Sequence, residues 1–313
     1  MFGPYVGCMS VHPPTSTEAT TAAGDERLSL GAALVTVVLW ASAFVAIRYV
    51  GSDFSPGALS LGRLVVGSLA LGAVVLMRPA AAWPSRRDWG LLLVCGVLWF
   101  GVYNAALNAS EQRIDAGTAA MLVNIGPLLI ALLAGLLLGE GFPKQVVGGS
   151  ALAFGGVLVI GLASSSRETE AWGVGLAVLA AVAYAIGVVA QKPLLSRLPA
   201  LHVTWLACTI GAVSCLPFTG DLVRETADAP AAAIWWLVYL GALPTALAFT
   251  TWAYALSRTT AGRMGATTYL VPPVAIAMAW LLLEEVPEEL AFAGGVLCLA
   301  GVAVSRRRAR GTR

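Results

Sequence analysis

The chain has 313 residues, of which 58% are hydrophobic and 12% charged, and its mean hydropathy is +0.81. A soluble protein carries about 25% charged residues, so water is excluded as the main solvent of this one. The net charge is only +2 and the basic residues lie in short loops, which excludes a nucleic-acid partner.

Residues 1–27 are rich in Pro, Thr, Ala and Gly and lack the basic stretch and apolar core of a cleaved signal peptide. They are expected to form a disordered cytoplasmic tail, with Met1 or Met9 as the start. Apolar runs of about 18 to 23 residues cross a hydrocarbon core as helices. Five such runs lie near Leu30 to Val50, Pro56 to Met77, Trp89 to Leu107, Thr118 to Leu138 and Val146 to Leu162. Five more lie near Ala171 to Ala190, His202 to Leu216, Ile234 to Leu256, Gly265 to Leu283 and Leu290 to Val304. Turn signals at Ser52-Asp53, Pro84-Ser85, Gly141-Phe142-Pro143, Ser164 to Ser166, Gly220-Asp221 and Val286-Pro287 separate them. A barrel would alternate polar and apolar residues at period two, and these runs do not. The expected architecture is therefore all-α and integral to the membrane, with five helices in 28–163, five in 170–305 and a basic cytoplasmic tail at 306–313.

A shift of about 145 positions superimposes Arg113, Ala116, Gly117, Pro127, Glu140, Gly149 and Gly156 on Arg258, Ala261, Gly262, Pro272, Glu285, Gly294 and Gly301. About one position in three matches across this stretch, against roughly one in ten by chance in Leu-, Ala-, Gly- and Val-rich spans. With an odd number of spans in each half, the two copies insert in opposite senses, a common construction of secondary transporters.

Lys and Arg in the loops set the orientation. With both termini inside, the cytoplasmic face collects Arg27, Arg78, Arg86, Arg87, Lys144, Lys192, Arg197, Arg258, Arg263 and the C-terminal arginines. The outer face keeps Arg48, Arg113, Arg167 and Arg224 and most of the acid. The chain is accordingly expected in the cell membrane, multi-pass, with both termini cytoplasmic.

Catalysis at membrane depth needs ionisable groups inside the spans, and these are nearly absent. No enzyme activity, metal or cofactor is expected. The five cysteines lack C-x-x-C spacing and read as packing residues. Arg63 is the one charge well inside a span, about two turns from its outer end. It either snorkels to the interface or faces a cavity and contacts a solute carboxylate. Mid-span polar and aromatic residues form a second set: Trp40, Trp99, Tyr103, Asn104, Asn124, Tyr184, Thr245, Trp252 and Tyr269. Trp40 with Tyr184, and Asn124 with Tyr269, hold matching places in the two halves, and the set is expected to bind solute near the midplane. Pro127, Pro272 and Pro273 are expected hinges, and Pro244 interrupts the eighth span. Small-residue stripes at Gly149, Ala153, Gly156 and at Gly294, Cys298, Gly301 allow close helix packing or a dimer face.

The run Trp40 to Arg48, the Pro56 to Arg63 spacing, and the Pro127, Leu138-Gly139-Glu140, Gly149 pattern that returns at Pro272, Leu283-Glu284-Glu285 and Gly294 resemble the drug/metabolite transporter superfamily, specifically proteins with two tandem EamA domains. The resemblance spans nearly all of residues 30 to 304. It implies a central cavity lined by helices one to four and six to nine, helices five and ten at the periphery, and often export of amino acids or similar small metabolites. Apart from the resemblance, a monomer or a homodimer is expected. Arg63 departs from the repeat, because its nearest equivalents in the seventh span, Thr204 and Trp205, are not basic. The alternatives are a multidrug or amphiphile efflux carrier and a non-transporting scaffold or sensor.

Overall fold

The computed structural model of the chain describes residues 16–78, 83–113, 122–164, 171–283 and 289–307, and every regular element among them is helical. Helix α1 runs Ser16–Val50, its 35 residues being long enough to emerge from the hydrocarbon core. Residues 1–15 lie outside the described residues, but 16–27 form helix where a disordered tail was expected. The reason is local: no Pro, and Gly24 alone, interrupts the sequence between Ser16 and Leu30.

Helix α2 (Pro56–Leu76) is started by Ser55, whose side chain accepts from Ala58 N, with Pro56 preset for the first turn. The third span is one rod: α3 (Arg86–Val94), a π-helical stretch (Cys95–Val102) and α4 (Tyr103–Glu111). Ser85 and Asp88 close its start as a capping box. Residues 114–121 lie outside the described set; in the fourth span the chain turns at Asn124-Ile125 and continues as α5 (Gly126–Leu137). Gly139 and Gly141, at φ 69° and 66°, take the chain round into α6 (Lys144–Ser164).

The second half follows the same plan. Helix α7 spans Ala171–Leu194 and α8 spans Ala200–Ser214. Leu216–Phe218 forms a 3-10 turn and α9 covers Thr219–Asp228, bent 55° from α8. The turn expected at Gly220-Asp221 is therefore at Pro217, and Asp221 instead sits in the first turn of α9, where the helix dipole favours a carboxylate. The eighth span is α10 (Ala231–Leu240), a second π-helical stretch (Gly241–Leu247) and α11 (Ala248–Ser257). The ninth is α12 (Ala261–Thr267), a 3-10 turn (Thr268–Leu270) and α13 (Val271–Leu283); α14 (Glu289–Arg306) is the tenth.

Five of these rods are individually long and apolar enough to cross a membrane, and the bent α8–α9 pair makes a sixth. Each of the ten expected spans overlaps a described helix or a broken pair. The chain is an all-α membrane protein.

The halves meet about a pseudo-twofold axis that the close contacts define. A Cβ on Gly149 would lie 2.6 Å from Gly301 O, and one on Gly156 would lie 2.5 Å from Gly294 O. Since Gly149 corresponds to Gly294 and Gly156 to Gly301, each contact is the image of the other, and α6 and α14 run antiparallel. The two small-residue stripes thus face each other within one chain, which leaves neither as a dimer face. On the axis, Cys298 Sγ donates to Ala153 O at 3.4 Å, 145 positions away. Cys208 Sγ does the same to Leu64 O at 3.4 Å, 144 positions away.

Candidate functional site

The two π-helical stretches occupy equivalent places, and each carries a glycine at its start, Gly96 just after Cys95 and Gly241 as the first residue. π-Turns leave backbone groups out of register and recur at functional sites. Here side chains repair them. Pro244 has no N–H to give Leu240 O, and Thr245 Oγ1 donates to that carbonyl at 2.8 Å instead. In the first half Asn104 Nδ2 donates to Phe100 O at 2.7 Å. Thr245 Oγ1 in turn accepts from Arg63 Nε at 3.0 Å. Arg63 is 5% exposed, so it is held inside the bundle and does not snorkel to the interface.

The carbonyl of Arg63 lies 2.8 Å from a Cβ built on Gly241, and the carbonyl of Ala207 lies 2.8 Å from one on Gly96. The repeat partner of Arg63 is therefore Ala207, one turn beyond the Thr204 and Trp205 expected from sequence. The asymmetry remains, because alanine carries no charge.

Around this point seven aromatic rings converge. Trp40 of α1 stacks on Trp252 of α11, with centroids 5.1 Å apart and planes at 29°. It meets Trp99 edge-on at 6.3 Å and Phe249 at 5.2 Å. Trp99 packs against Tyr184 at 5.4 Å, and Tyr184 against Tyr103 at 5.8 Å. Phe100 completes the group, 4.4 Å from Phe249. Gly187 lets Trp99 approach, since a Cβ there would fall 2.4 Å from Trp99 Cβ; Gly126 does the same for the Tyr184 ring at 2.6 Å.

Five of these rings, Trp40, Trp99, Tyr103, Tyr184 and Phe249, form one wall of a cavity of about 80 Å³, room for on the order of five water molecules. Of the expected site residues, Trp40, Arg63, Trp99, Tyr103, Asn104, Asn124 and Tyr184 line it, as does Pro127. Thr245 stands behind Arg63, and Trp252 lies behind Trp40 with its Nε1 donating to Gln191 Oε1 at 3.2 Å. Tyr269 falls elsewhere: it packs fully buried with Ala153, Val157, Ala266 and Cys298 at the α6–α14 layer. Matching depth in the two halves therefore did not give matching exposure. The 3-10 turn presents Thr268 to the cavity in place of Tyr269.

Sequence reasoning missed Phe44, Val123, Phe249, Thr268 and Val271, which also line the space. The 145-residue shift would have found one of them, since Phe249 pairs with Asn104; Val123 and Thr268 pair only with each other.

Pro127 and Pro272 are not mid-helix kinks. Each stands in the first turn of a new helix, α5 or α13, just after a break in its span. A proline there sacrifices no intrahelical bond. Irregular backbone at membrane depth is tolerated where it borders a cavity, and Val123, Asn124, Thr268 and Val271 at these two breaks line this one.

One end of the bundle is tied shut. Glu140, after α5, accepts from Ala261 N at 2.7 Å and Gly262 N at 3.2 Å, capping α12 across the halves. Lys192 Nζ donates to Leu256 O at 2.6 Å and to Thr259 O at 2.5 Å. This is the end that carries the basic loops, and the cavity lies on its far side, between the aromatic group and the C-terminal end of α1.

The EamA-like transporter family model matches residues 27–162 and 171–307. The chain is 41% identical, over 90% of its length and 94% of the relative's, to a protein named "Probable terminal-alkyne amino-acid exporter" from Streptantibioticus cattleyicolor. It is 31% identical, over 84% and 86%, to a Bacillus subtilis protein named "Uncharacterized transporter YdfC". A Salmonella typhimurium protein named "Probable amino-acid metabolite efflux pump" shares 29% identity over 87% and 93%. A solved crystal structure shares the fold, with a TM-score of 0.73 at 21% identity, covering 89% of this chain and 96% of that one.

Proposed function

The chain belongs to the EamA-like transporter family, and from that premise we propose that it exports amino-acid-type metabolites across the cell membrane by alternating access through the central cavity. The observation that carries this reading is the cavity itself, bordered in both halves by the broken fourth and ninth spans. Two relatives named as a probable amino-acid exporter and a probable amino-acid metabolite efflux pump support the solute class.

Loop charge supports a cytoplasmic position for both termini and the basic end. The Glu140 and Lys192 contacts then close the cytoplasmic end, and the cavity faces outward. Export requires the opposite state as well. It is reached when Glu140 releases the N-terminus of α12 and the halves rock about the α6–α14 layer, whose glycine contacts act as the fixed seam. The aromatic wall also suits an amphiphilic solute, which is the second reading.

Direction is tested with labelled leucine and membrane vesicles of both orientations. Inside-out vesicles should accumulate label in proportion to the protein, and right-side-out vesicles should not. Accumulation only in right-side-out vesicles makes the protein an importer.

A further inference from the structure

We propose that the cavity selects solutes by their carboxylate, with Arg63 as the specificity-determining residue, and that it rejects cationic amphiphiles. This rests on the transport reading and names the chemistry of the same site. Among the described residues, Arg63 is the one charged side chain lining the cavity, and no described Asp or Glu lines it. Its Nε is committed to Thr245, and the Thr245 hydroxyl is committed to Leu240 O. That relay fixes the plane of the guanidinium. Its two terminal nitrogens hydrogen-bond no described residue, and no described carboxylate pairs with it.

An arginine this deep is tolerated when something neutralises it, and no described residue of the protein does so. A planar fork of donors fits a carboxylate bidentately.

Two further polar atoms point the same way. Tyr184, 5% exposed, lines the cavity, and its hydroxyl, though near Thr268, makes no hydrogen bond. Trp40 Nε1 is likewise buried and unpartnered. The indole group can only donate, and the phenol donates readily to an anion. The helix α5 N-terminus also meets the cavity at Pro127 and has no side-chain cap. The site therefore offers donors and positive potential to an acceptor anion. To a cation it offers aromatic faces and neutral side-chain oxygens, with no described carboxylate, beside the positive charge of Arg63.

The test uses purified protein in liposomes and three probes that share one side chain: leucine, N-acetyl-leucine and leucinamide. Binding is read by quenching of tryptophan fluorescence and transport by efflux of label. Wild type should favour the two carboxylates over leucinamide by roughly 10- to 100-fold in both readouts. Arg63→Gln should abolish the preference, and Arg63→Lys should keep part of it. Thr245→Val, which leaves the charge but removes its anchor, should weaken carboxylate binding less than Arg63→Gln does.

Equal binding of leucine and leucinamide by wild type overturns the proposal, as does an unchanged preference in folded Arg63→Gln protein. If carboxylates bind selectively but no probe moves, the selectivity stands and the transport reading falls. The two failures are therefore separable.

Discussion

Side chains that hold the cavity in shape are distinct from those that are free to meet a solute. Trp252 and Thr245 spend their polar atoms on Gln191 and on Leu240 O, whereas Tyr184 spends none. A buried hydroxyl without a partner contributes nothing to stability and costs its desolvation. Tyr184→Phe should therefore leave thermal stability in detergent unchanged or raised by up to about 1 kcal/mol, while lowering the affinity for leucine roughly tenfold. A large loss of stability would show that the hydroxyl is structural. At this scale much was legible: a charge or an amphipathic aromatic at membrane depth needs a reason, and that logic picked out Arg63, Trp40, Trp99 and Tyr184. Tyr269 was misplaced because a single residue's direction depends on the 3-10 turn around it, which no spacing in Thr268–Leu270 announces.

Among the elements, prolines and glycines had told where the chain would do something irregular, but not what. Pro127 and Pro272 start helices after breaks, and Pro244 sits in a π-helical stretch whose freed carbonyl is caught by the next residue. Such repairs depend on a neighbouring hydroxyl reaching backward by five residues, which hydropathy cannot see. The glycine stripes were plainer. A side chain at Gly149 would run into Ser305 N at 2.5 Å and Gly301 O at 2.6 Å, both backbone atoms that cannot swing away. Gly149→Leu should cost about 1–3 kcal/mol or more by overpacking, seen as a lower melting temperature. Gly155→Ala, one residue from Gly156 but facing open space, should be neutral or slightly stabilising. Equal effects of the two substitutions would contradict the assigned α6–α14 seam.

In the whole molecule, the inverted repeat gives two related halves and the cavity between them, and Arg63 opposite Ala207 breaks the symmetry at the point where a solute would bind. The repeat was readable from a shift of 145 positions, since α6 and α14 need small residues at matched places to touch. Closure at one end was not readable, because it depends on Glu140 reaching Ala261 and Gly262 in the other half. The account makes the protein a carrier, which binds one solute and exposes it to one side at a time. Counterflow tests this most directly: liposomes holding the purified protein are loaded with unlabelled leucine and diluted into a trace of labelled leucine. The account predicts a transient accumulation of label above its equilibrium level, lost in Arg63→Gln. A monotonic approach to equilibrium would mark a channel, and no uptake at all from folded protein would leave a scaffold or sensor; either result contradicts the account.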